Sequence, residues 1–376
     1  MRLNPVLEGL ATYPFVRLAE ARAAAAARGA DVIDFGVGEP REETPPFIRR
    51  TLAHAVEAEP VSTYPLAEGL GELRAAIAGW CGRRFGAALD PATQVVPTLG
   101  SKEAIFHLAQ VVAARGDRVA VTTPGYPVPA RGALFAGAAV VELPLDPQRG
   151  WRPDLGAVDW SGVALLWLNF PNNPTAATAT PELLEEAARL ARRHGFVLAS
   201  DEAYSELWFA GEPPVSALGL SDLGNVLVLN TLSKRSSMPG YRSGFAAGDP
   251  ALVAALKRYR PNVGVAPQTF VQRAAIAAWG DEEHVRETRA RYAAKRDALL
   301  PALRRAGMQP AGGDATFFLW LRVDGDAEAF ALRLLDEHGI VVAPGPFFGP
   351  GGEGHVRVAL VPTVERCREA ALRIAP

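Results

Sequence analysis

Residues 225–234 read NVLVLNTLSK, in which an apolar run, Val226–Leu229, leads into polar residues and then into Lys234. The run does not alternate between apolar and polar residues, which is typical of a strand buried on both faces of a parallel sheet. Two earlier stretches have the same form, VALLWLNF (163–170) and FVLASDEAY (196–204), and a helical pattern that ends at Gly195 lies between them. Strand and helix in alternation predict an α/β domain with a mainly parallel central sheet flanked by helices.

The same rhythm extends outward from this stretch on both sides. Further strands are predicted at 117–123, 138–145 and 243–249, and further helices at 71–86 and 102–116. After residue 250 come two long helical patterns, at about 250–279 and 281–306, and then strands at 316–323, 340–345 and 355–361 around a helix at 327–339. These later elements predict a smaller α+β domain. The predicted division is an N-terminal arm and helix that joins the small domain (1–35), a large domain (36–280) and a small C-terminal domain (281–376).

Composition narrows the class of protein. The chain has 376 residues, 49% of them hydrophobic, and a formal net charge of −2, so it has the material for a sizeable core and no basic footprint for nucleic acid. No apolar run is long enough to span a membrane, and no signal peptide is visible at the N-terminus. Two cysteines, Cys81 and Cys367, form no disulfide framework, and both are expected to serve in packing. These features favour a cytoplasmic protein.

Lysine is rare in this chain. Four of the 39 cationic residues are lysine, at 102, 234, 257 and 295, and the other 35 are arginine. Codon bias is an ordinary cause of such an imbalance. Arginine nevertheless stays protonated in proteins, whereas lysine can lose its proton and act as a nucleophile. Each lysine therefore supplies a side chain that arginine does not replace in chemistry of this kind.

Polar residues follow several predicted strands at their carboxyl ends, where ligands sit in open α/β sheets. Taken singly, each has an ordinary explanation as a turn, a helix cap or an ion pair. Taken together they match one ligand: hydroxyls, an arginine and a helix start suit a phosphate, a carboxylate suits a protonated ring nitrogen, and lysine can form a Schiff base with an aldehyde. That ligand is pyridoxal 5′-phosphate. The residues are Gly100, Ser101, Lys102, Asn173, Asp201, Tyr204, Thr231, Ser233, Lys234 and Arg242.

In their order along nearly the whole chain, these motifs resemble the fold-type-I, class I/II aminotransferases. The resemblance implies that Lys234 forms the Schiff base, that Asp201 pairs with the pyridine nitrogen, and that Asn173 and Tyr204 bind the ring oxygen. Tyr204 is counted with Lys234 and Asp201 among the catalytic residues. The resemblance further implies that the phosphate is held by Ser101, by the backbone N–H of Lys102 and by Thr231, Ser233 and Arg242.

Four more positions carry expectations from the same resemblance. Tyr126, in PGYP, is expected to stack on the pyridine ring, and Tyr64 to reach the phosphate of a neighbouring subunit in a homodimer. Arg357, in HVRVAL, is expected to bind the substrate α-carboxylate, with Gly38 and Asn173 beside it. One departure is Ala176, which stands where the family usually has glycine after Asn-Pro-Thr.

The amino donor is less constrained. The stretches 100–110, 232–249 and 349–361 are similar to N-succinyldiaminopimelate aminotransferases of bacterial lysine synthesis, although Ser237 replaces the asparagine common there. This similarity implies N-succinyl-LL-diaminopimelate as the donor and 2-oxoglutarate with glutamate as the second pair. The segment ATYPFVRL (Thr12, Tyr13, Arg17) and the loop FFGPGGEG (347–354) are candidates to line the distal pocket.

Several alternatives stay open. One is a different donor, such as alanine, aspartate or LL-diaminopimelate, and another is a pyridoxal-phosphate lyase acting on carbon–sulfur bonds. A regulator on the same scaffold would need an N-terminal DNA-binding domain, for which there is no room before DFGVGEP (34–40). A nicotinamide dehydrogenase lacks its glycine fingerprint here. The six histidines are scattered without metal-ligand spacing, so no metal is predicted.

Overall fold

A computed structural model of the chain describes residues 1, 3–9 and 14–375. Its strands, in chain order, are β1 (Ile33–Asp34), β2 (Val95–Thr98), β3 (Arg118–Thr123), β4 (Ala139–Asp146), β5 (Arg152–Pro153), β6 (Val163–Asn169), β7 (Val197–Asp201), β8 (Val226–Thr231), β9 (Gly244–Gly248), β10 (Gln309–Pro310), β11 (Phe318–Arg322), β12 (Ile340–Val341), β13 (Ala343–Pro344) and β14 (His355–Ala359).

Several helices begin after a residue whose side chain caps the first turn, and several end just before a glycine. Thr180 and Asp326 accept backbone N–H groups at two helix starts, and Gly86 and Gly195 adopt the left-handed conformation just after two helix ends. The helices are α1 (Pro5–Gly9), α2 (Pro14–Ala27), α3 (Pro46–Ala58), α4 (Gly71–Phe85), α5 (Gly100–Val112), α6 (Val128–Ala136), α7 (Pro181–His194), α8 (Leu232–Arg235), α9 (Pro250–Tyr259), α10 (Thr269–Gly280), α11 (Glu283–Arg305), α12 (Ala327–His338) and α13 (Val364–Ile374).

The large sheet has eight strands in the order β2-β9-β8-β7-β6-β3-β4-β5. Its five middle strands, from β8 to β4, are all paired in parallel. Strand β9 runs antiparallel to both of its neighbours, and β5 pairs antiparallel with β4. The mainly parallel sheet expected from the sequence is therefore confirmed.

The second part of the fold is a four-stranded antiparallel sheet in the order β10-β11-β14-β13. Helix α11 packs along α13 beside it, and a two-stranded parallel pair joins β1 to β12. The smaller α+β unit is thus also confirmed. The boundaries placed at residues 35 and 280 remain a prediction.

Burial follows the apolar runs. Strands β7 and β8 are buried at every position, and so is β6 except at Ala164, because helices cover both faces of the sheet. Strand β4, in contrast, is exposed at Ala139, Glu142 and Pro144, so the burial on both faces that an apolar run predicts is wrong for 138–145. Cys81 and Cys367 are buried, unpaired and far apart in two core clusters, which agrees with a packing role.

Two predicted elements are divided in the structure. The helix expected at 250–279 is interrupted by a 3₁₀ turn at 260–263 and an irregular stretch up to Gln268, because Pro261 and Pro267 cannot supply backbone N–H donors. The strand expected at 340–345 consists of β12 and β13, which belong to different sheets. In contrast, α11 runs unbroken through Pro301 over the predicted range.

Candidate active site

The carboxyl ends of β6, β7 and β8 meet at one edge of the large sheet. Asn169 is the register partner of Asp201, and Asp201 is paired with Leu229, two residues before Thr231. A cavity of about 660 Å³ opens at this edge. It is lined by twelve residues that the sequence predicted, namely Gly38, Ser101, Lys102, Tyr126, Asn173, Asp201, Tyr204, Thr231, Ser233, Lys234, Arg242 and Arg357.

Lys234 is placed in this cavity by the short helix α8, which follows β8 directly. Its Nζ atom donates to the carbonyl oxygen of Gly38 at 2.9 Å. Burial, together with the charge of Arg357, lowers the pKa of Lys234 to about 8. An appreciable fraction of this amine is therefore neutral near physiological pH, which is the form that attacks an aldehyde.

Asp201 ends β7 inside the protein. Its carboxylate accepts a bond from the side-chain amide of Asn169 at 3.3 Å and another from the backbone N–H of Ala203 at 3.3 Å. Burial raises the pKa of Asp201 to about 7, although the bond from Ala203 and the charge of Lys234 oppose the rise. A cationic nitrogen beside this carboxylate would lower the pKa again, because an opposite charge favours the ionised form.

Tyr204 and Asn173 both line this cavity. The ring of Tyr204 packs edge-on against Phe317 and Phe318, and burial raises the pKa of its hydroxyl. The backbone N–H of Asn173 donates to Oδ1 of Asn169 at 2.9 Å, so Asn169 orients both Asn173 and Asp201. Asn169 was not selected from the sequence, although its position at a strand end was the available signal.

A group of donors surrounds the start of α5. Gly100, Ser101 and Lys102 are its first three residues, where backbone N–H groups have no partner within the helix. Arg242 lies beside them, since its guanidinium donates to the carbonyl oxygens of Leu99 and Pro239 at 2.9 Å each. The hydroxyls of Thr231 and Ser233 are 2.9 Å apart. Such a combination of N–H groups, hydroxyls and a guanidinium can bind a phosphate.

Arg357 projects from β14 and is buried between two aromatic rings, those of Phe318 and Phe348. It donates to Oδ1 of Asn173 at 2.8 Å and to the carbonyl oxygen of Gly36 at 2.6 Å. Gly38 is packed so closely that an added Cβ would lie 2.8 Å from the ring of Phe318. An arginine held in this way can bind a carboxylate through a fixed pair of donors.

Two predicted site residues do not line the cavity. Gly100 lies behind Arg242, where an added Cβ would come within 2.7 Å of the guanidinium, so its contribution is the space it leaves. Tyr64 is fully exposed on the surface. Of the distal-pocket candidates, Thr12 and Tyr13 fall outside the described residues, as does the side chain of Arg17, whereas the loop 347–354 contributes Phe348.

The cavity also contains an acidic residue that the sequence motifs do not indicate. Glu39 follows Gly38, lines the cavity and is exposed, and no partner for its carboxylate is found within residues 1, 3–9 and 14–375. Its charge acts on Lys234 in the direction that raises the pKa of the amine. The DFGVGEP stretch is distinctive for its glycine, and nothing in the sequence indicates where the neighbouring carboxylate lies.

Ala176, the departure from the usual glycine, lies in a buried turn with φ of 59°. Glycine adopts this left-handed conformation without steric cost, which explains the residue more common at this position. The alanine does not line the cavity.

Other features of the chain add no competing site. A cleft of about 730 Å³ on the large domain's surface, between α7 and residues 213–222, holds none of the predicted site residues. Over the described ranges, no cluster of three or more His, Cys, Asp or Glu side chains could hold a metal ion. No helix in that part of the chain is both long and apolar enough to cross a bilayer.

Comparison with known proteins agrees with this geometry. Residues 30–374 match the family described as aminotransferase class I and II. The chain is 38% identical to an LL-diaminopimelate aminotransferase of Dehalococcoides mccartyi, over 100% of this chain and 98% of that protein.

Solved structures give the same result. An aminotransferase from Neisseria meningitidis superposes with a TM-score of 0.91 at 36% identity, covering 99% of both chains. A probable N-succinyldiaminopimelate aminotransferase from Thermus thermophilus superposes with a TM-score of 0.89 at 33% identity, covering 96% of this chain and 98% of that one. The family match spans most of the chain, and the relatives span nearly all of it. The chain therefore belongs to the class I and II aminotransferases, which are enzymes that depend on pyridoxal phosphate and act on amino acids and 2-oxo acids.

Proposed function

We propose that this aminotransferase moves an amino group between LL-diaminopimelate and a 2-oxo acid, with 2-oxoglutarate and glutamate as the second pair, in lysine biosynthesis. The observation that carries the choice of donor is the carboxylate of Glu39, which has no partner among the described residues and lies in the cavity that also holds Lys234. Two unpaired, buried cysteines favour the cytoplasm as the site of this reaction.

The residues of the cavity fit the cofactor. The start of α5, with Thr231, Ser233 and Arg242, offers the donors that a phosphate needs, and Gly100 is small enough to leave Arg242 in place. Asp201 is a buried carboxylate whose hydrogen bonds come from uncharged donors, which suits a protonated ring nitrogen. Tyr126 lines the cavity and offers an aromatic ring for stacking. We assign the phosphate to the first group, the ring nitrogen to Asp201 and the ring oxygen to Asn173 and Tyr204.

Lys234 is the group that acts on the substrate. When bound, the cofactor supplies an aldehyde and a pyridinium ring that stabilises negative charge at the substrate α-carbon. Lys234 would hold the cofactor through its amine, and once an amino donor is bound that amine would take the proton from the substrate α-carbon as a general base. Its lowered pKa suits both tasks, because each needs the neutral amine.

Arg357 orients the substrate. Its guanidinium is fixed by Asn173 and by the Gly36 carbonyl, so a bound α-carboxylate meets donors that need no further ordering. Such orientation lowers the barrier to proton transfer, because the α-carbon is held at one distance from Lys234.

Glu39 distinguishes between the two diaminopimelate donors. LL-diaminopimelate carries a carboxylate and a free ammonium group at its distal end, and the carboxylate of Glu39 attracts the ammonium. In the N-succinyl form that ammonium is replaced by an amide and a further carboxylate, which Glu39 repels. The name of the Dehalococcoides relative supports the same choice. The succinylated donor stays the second candidate, supported by the name of the Thermus neighbour and by the resemblance of residues 232–249.

The active unit we propose is a two-fold homodimer in which Tyr64 reaches the phosphate site of the partner. The side chain of Tyr64 is fully exposed, and Val61 and Leu66 in the same loop are exposed as well. A row of exposed apolar side chains that no part of the described chain covers is what an isologous contact would bury.

Single-donor spectroscopy tests the proposal. Cofactor-loaded enzyme is mixed with one amino donor and no acceptor, and both the visible spectrum and the released 2-oxo acid are measured. LL-diaminopimelate, N-succinyl-LL-diaminopimelate, glutamate, aspartate, alanine and cystathionine form the panel. We expect LL-diaminopimelate and glutamate to convert the cofactor. A clear preference for the succinylated compound would contradict LL-diaminopimelate as the amino donor. Pyruvate released from cystathionine without any acceptor would identify a lyase.

A matched pair of variants tests the role of Glu39. Glu39→Gln should lower kcat/KM for LL-diaminopimelate by about 10-fold, because the distal ammonium loses its counter-charge. The value for the succinylated donor should rise or stay level. Glu43→Gln, four residues away on the surface beside Arg49, should change neither value.

A further inference from the structure

Lys295 has no place in the reaction described above, yet it is the most deeply buried of the four lysines. Lys102 and Lys234 line the active-site cavity, and Lys257 donates to the carbonyl oxygen of Ala92 near the surface. Lys295 has 0% of its surface exposed. Burying an ammonium costs free energy unless an opposite charge pairs with it. A specific partner is therefore expected beside Lys295.

The charged partner of Lys295 is Glu42, and the carbonyl oxygen of Val361 also accepts from the Lys295 Nζ atom, at 3.5 Å. The Nζ atom of Lys295 forms an ion pair with Oε1 of Glu42, and Arg291, one turn earlier on α11, donates to Oε2 at 3.2 Å. The ammonium also lies 4.9 Å from the ring centre of Tyr292. Two cations from one helix therefore hold a single carboxylate that belongs to the loop after β1.

That loop, residues 36–42, is anchored at its other end as well. Asp34 accepts the backbone N–H of Gly36 at 2.8 Å and the guanidinium groups of Arg22 at 2.7 Å and Arg41 at 3.3 Å. The loop thus runs between two acidic anchors, Asp34 and Glu42. Asp34 bonds mainly to residues of the N-terminal segment, and Glu42 bonds to residues of α11.

The backbone between these anchors contacts both of the side chains to which we assign the chemistry. The carbonyl oxygen of Gly36 accepts from Arg357 at 2.6 Å, and that of Gly38 accepts from Lys234 at 2.9 Å. Neither glycine has a side chain with which to hold its own position. A shift of the loop therefore displaces an acceptor of Lys234 and an acceptor of Arg357 together.

We propose that Lys295 is a positioning residue for the aminotransferase reaction, because through Glu42 it fixes loop 36–42 where the Gly36 and Gly38 carbonyls hold Arg357 and Lys234. It contacts neither substrate nor cofactor. The inference rests on the proposed roles of Lys234 and Arg357. A purely stabilising ion pair would lower the melting temperature when broken and would leave the properties of these two side chains unchanged.

The low lysine content allows a direct readout. With [ε-13C]lysine, the cofactor-free enzyme gives four labelled positions, and the signal of Lys234 is assigned by its loss in Lys234→Ala. Lys295→Met should shift the titration midpoint of Lys234 downward, because the Gly38 carbonyl no longer accepts from the ammonium form. In the loaded enzyme the same variant should raise KM for the amino donor by about 10-fold, with a smaller change in kcat, because Arg357 is displaced.

Further variants keep the test decisive. Lys257→Met is the matched control, since it removes a lysine bonded to a backbone carbonyl elsewhere, and it should change neither KM nor the Lys234 titration. If Lys295→Met folds poorly, the Glu42→Gln/Lys295→Met double variant removes both charges of the pair and should still show the raised KM. Lys295→Arg, which keeps the charge, should restore much of the loss.

One set of results would overturn the inference. If Lys295→Met and the double variant melt at lower temperature but keep the KM and the Lys234 titration of the unmodified enzyme, the pair only stabilises the fold. Failure of the proposed site is recognised separately. In that case Lys234→Ala would retain turnover or Arg357→Met would keep its KM, whatever the behaviour of Lys295.

Discussion

The guanidinium of Arg357 donates to Oδ1 of Asn173 across 2.8 Å, although 184 residues separate the two positions in the chain. Because the oxygen of the Asn173 amide is engaged in this way, its NH₂ group is the part left to donate elsewhere. The contact therefore joins the residue assigned to the substrate carboxylate to one assigned to the cofactor ring, and it fixes the orientation of both.

The first prediction concerns the exchange of this arginine for lysine. Arg357→Lys should raise KM for the amino donor by roughly 100-fold, since lysine cannot bond Asn173, the Gly36 carbonyl and a carboxylate in one plane. Steady-state kinetics with a carboxylate-bearing donor measure the effect. An amine without an α-carboxylate is the control, and it should react equally slowly with both enzymes. An unchanged KM would remove Arg357 from the substrate site.

Lys234 gives the second prediction. Both Lys234→Ala and Lys234→Arg should lower turnover by roughly 10⁴-fold or more, because arginine keeps a charge but cannot act as a neutral nucleophile or base. Borohydride reduction followed by intact mass measurement provides a readout other than activity. The cofactor should become fixed to the unmodified chain and to neither variant. A labelled Lys234→Ala chain would point to another lysine.

The third prediction is a pH dependence of stability that arises from Glu202, the neighbour of Asp201. Glu202 is buried and accepts from Ser200 and from the backbone N–H of Ala217. Burial raises the pKa of Glu202 from 4.5 to about 7. Between these pH values the folded chain keeps a proton that the unfolded chain has lost. The free energy of unfolding therefore falls as the pH rises through this window and is level above it.

Glu202→Gln should remove this contribution, which is on the order of 3 kcal/mol across the window. Urea unfolding of the cofactor-free enzyme at pH 5 and pH 8 measures it. Asp201 contributes a slope of the same sign in both proteins, so the difference between the two slopes reports Glu202 together with its charge interaction with Asp201. Identical slopes would mean that Glu202 is ionised throughout.

Gly100 provides the fourth prediction. Gly100→Ala places a methyl group 2.7 Å from the Arg242 guanidinium at a residue with φ of 70°, so Arg242 must move away from the start of α5. The dissociation constant for pyridoxal phosphate should rise by about 10-fold as one charge-assisted contact weakens. Gly116→Ala is the control, because Gly116 has φ of 97° and open space around it. It should lose stability and keep its cofactor affinity.

The fifth prediction tests the dimer. Tyr64→Ala should weaken cofactor binding by about 10-fold if its hydroxyl reaches the partner's phosphate site, whereas Leu66→Ala in the same loop should not. A mixed dimer of Tyr64→Ala and Lys234→Ala subunits is the sharper measurement. Its one lysine-containing site receives Tyr64 from the partner and should bind with normal affinity. Normal affinity in the Tyr64→Ala homodimer would contradict the assignment.

Most of the large sheet was predictable, because its strands are short and apolar throughout and the helices between them end at glycines. The run Val226–Leu229 is apolar at every position, so its composition alone predicts a strand buried on both faces. The helix at 250–279 was harder to divide, because its apolar pattern continues across Pro261 and Pro267, and only the structure determines which turn is lost. The two halves of 340–345 enter different sheets through pairing with residues far away in the chain.

The site was predictable where a residue type is chemically distinctive. A lysine at a strand end in a lysine-poor chain stands out, and so does an aspartate after a buried run. Asn169, Glu39 and Lys295 were missed for another reason. Their importance comes from the direction of the side chain and, for Asn169 and Lys295, from partners 32 and 253 residues away, and neither is visible in local sequence.

The partners of the Gly36 and Gly38 carbonyls are synthesised at different times, so the parts of the site can form only in a certain order. Their partners lie 321 and 196 residues later in the chain, at Arg357 and Lys234 respectively. A nascent chain that has emerged only as far as α11 already contains the large sheet, Asp201 and Lys234, whereas β14 and Arg357 have yet to be made. The elements assigned to the cofactor can therefore assemble during translation, but the substrate carboxylate can be held only after the last strand has docked.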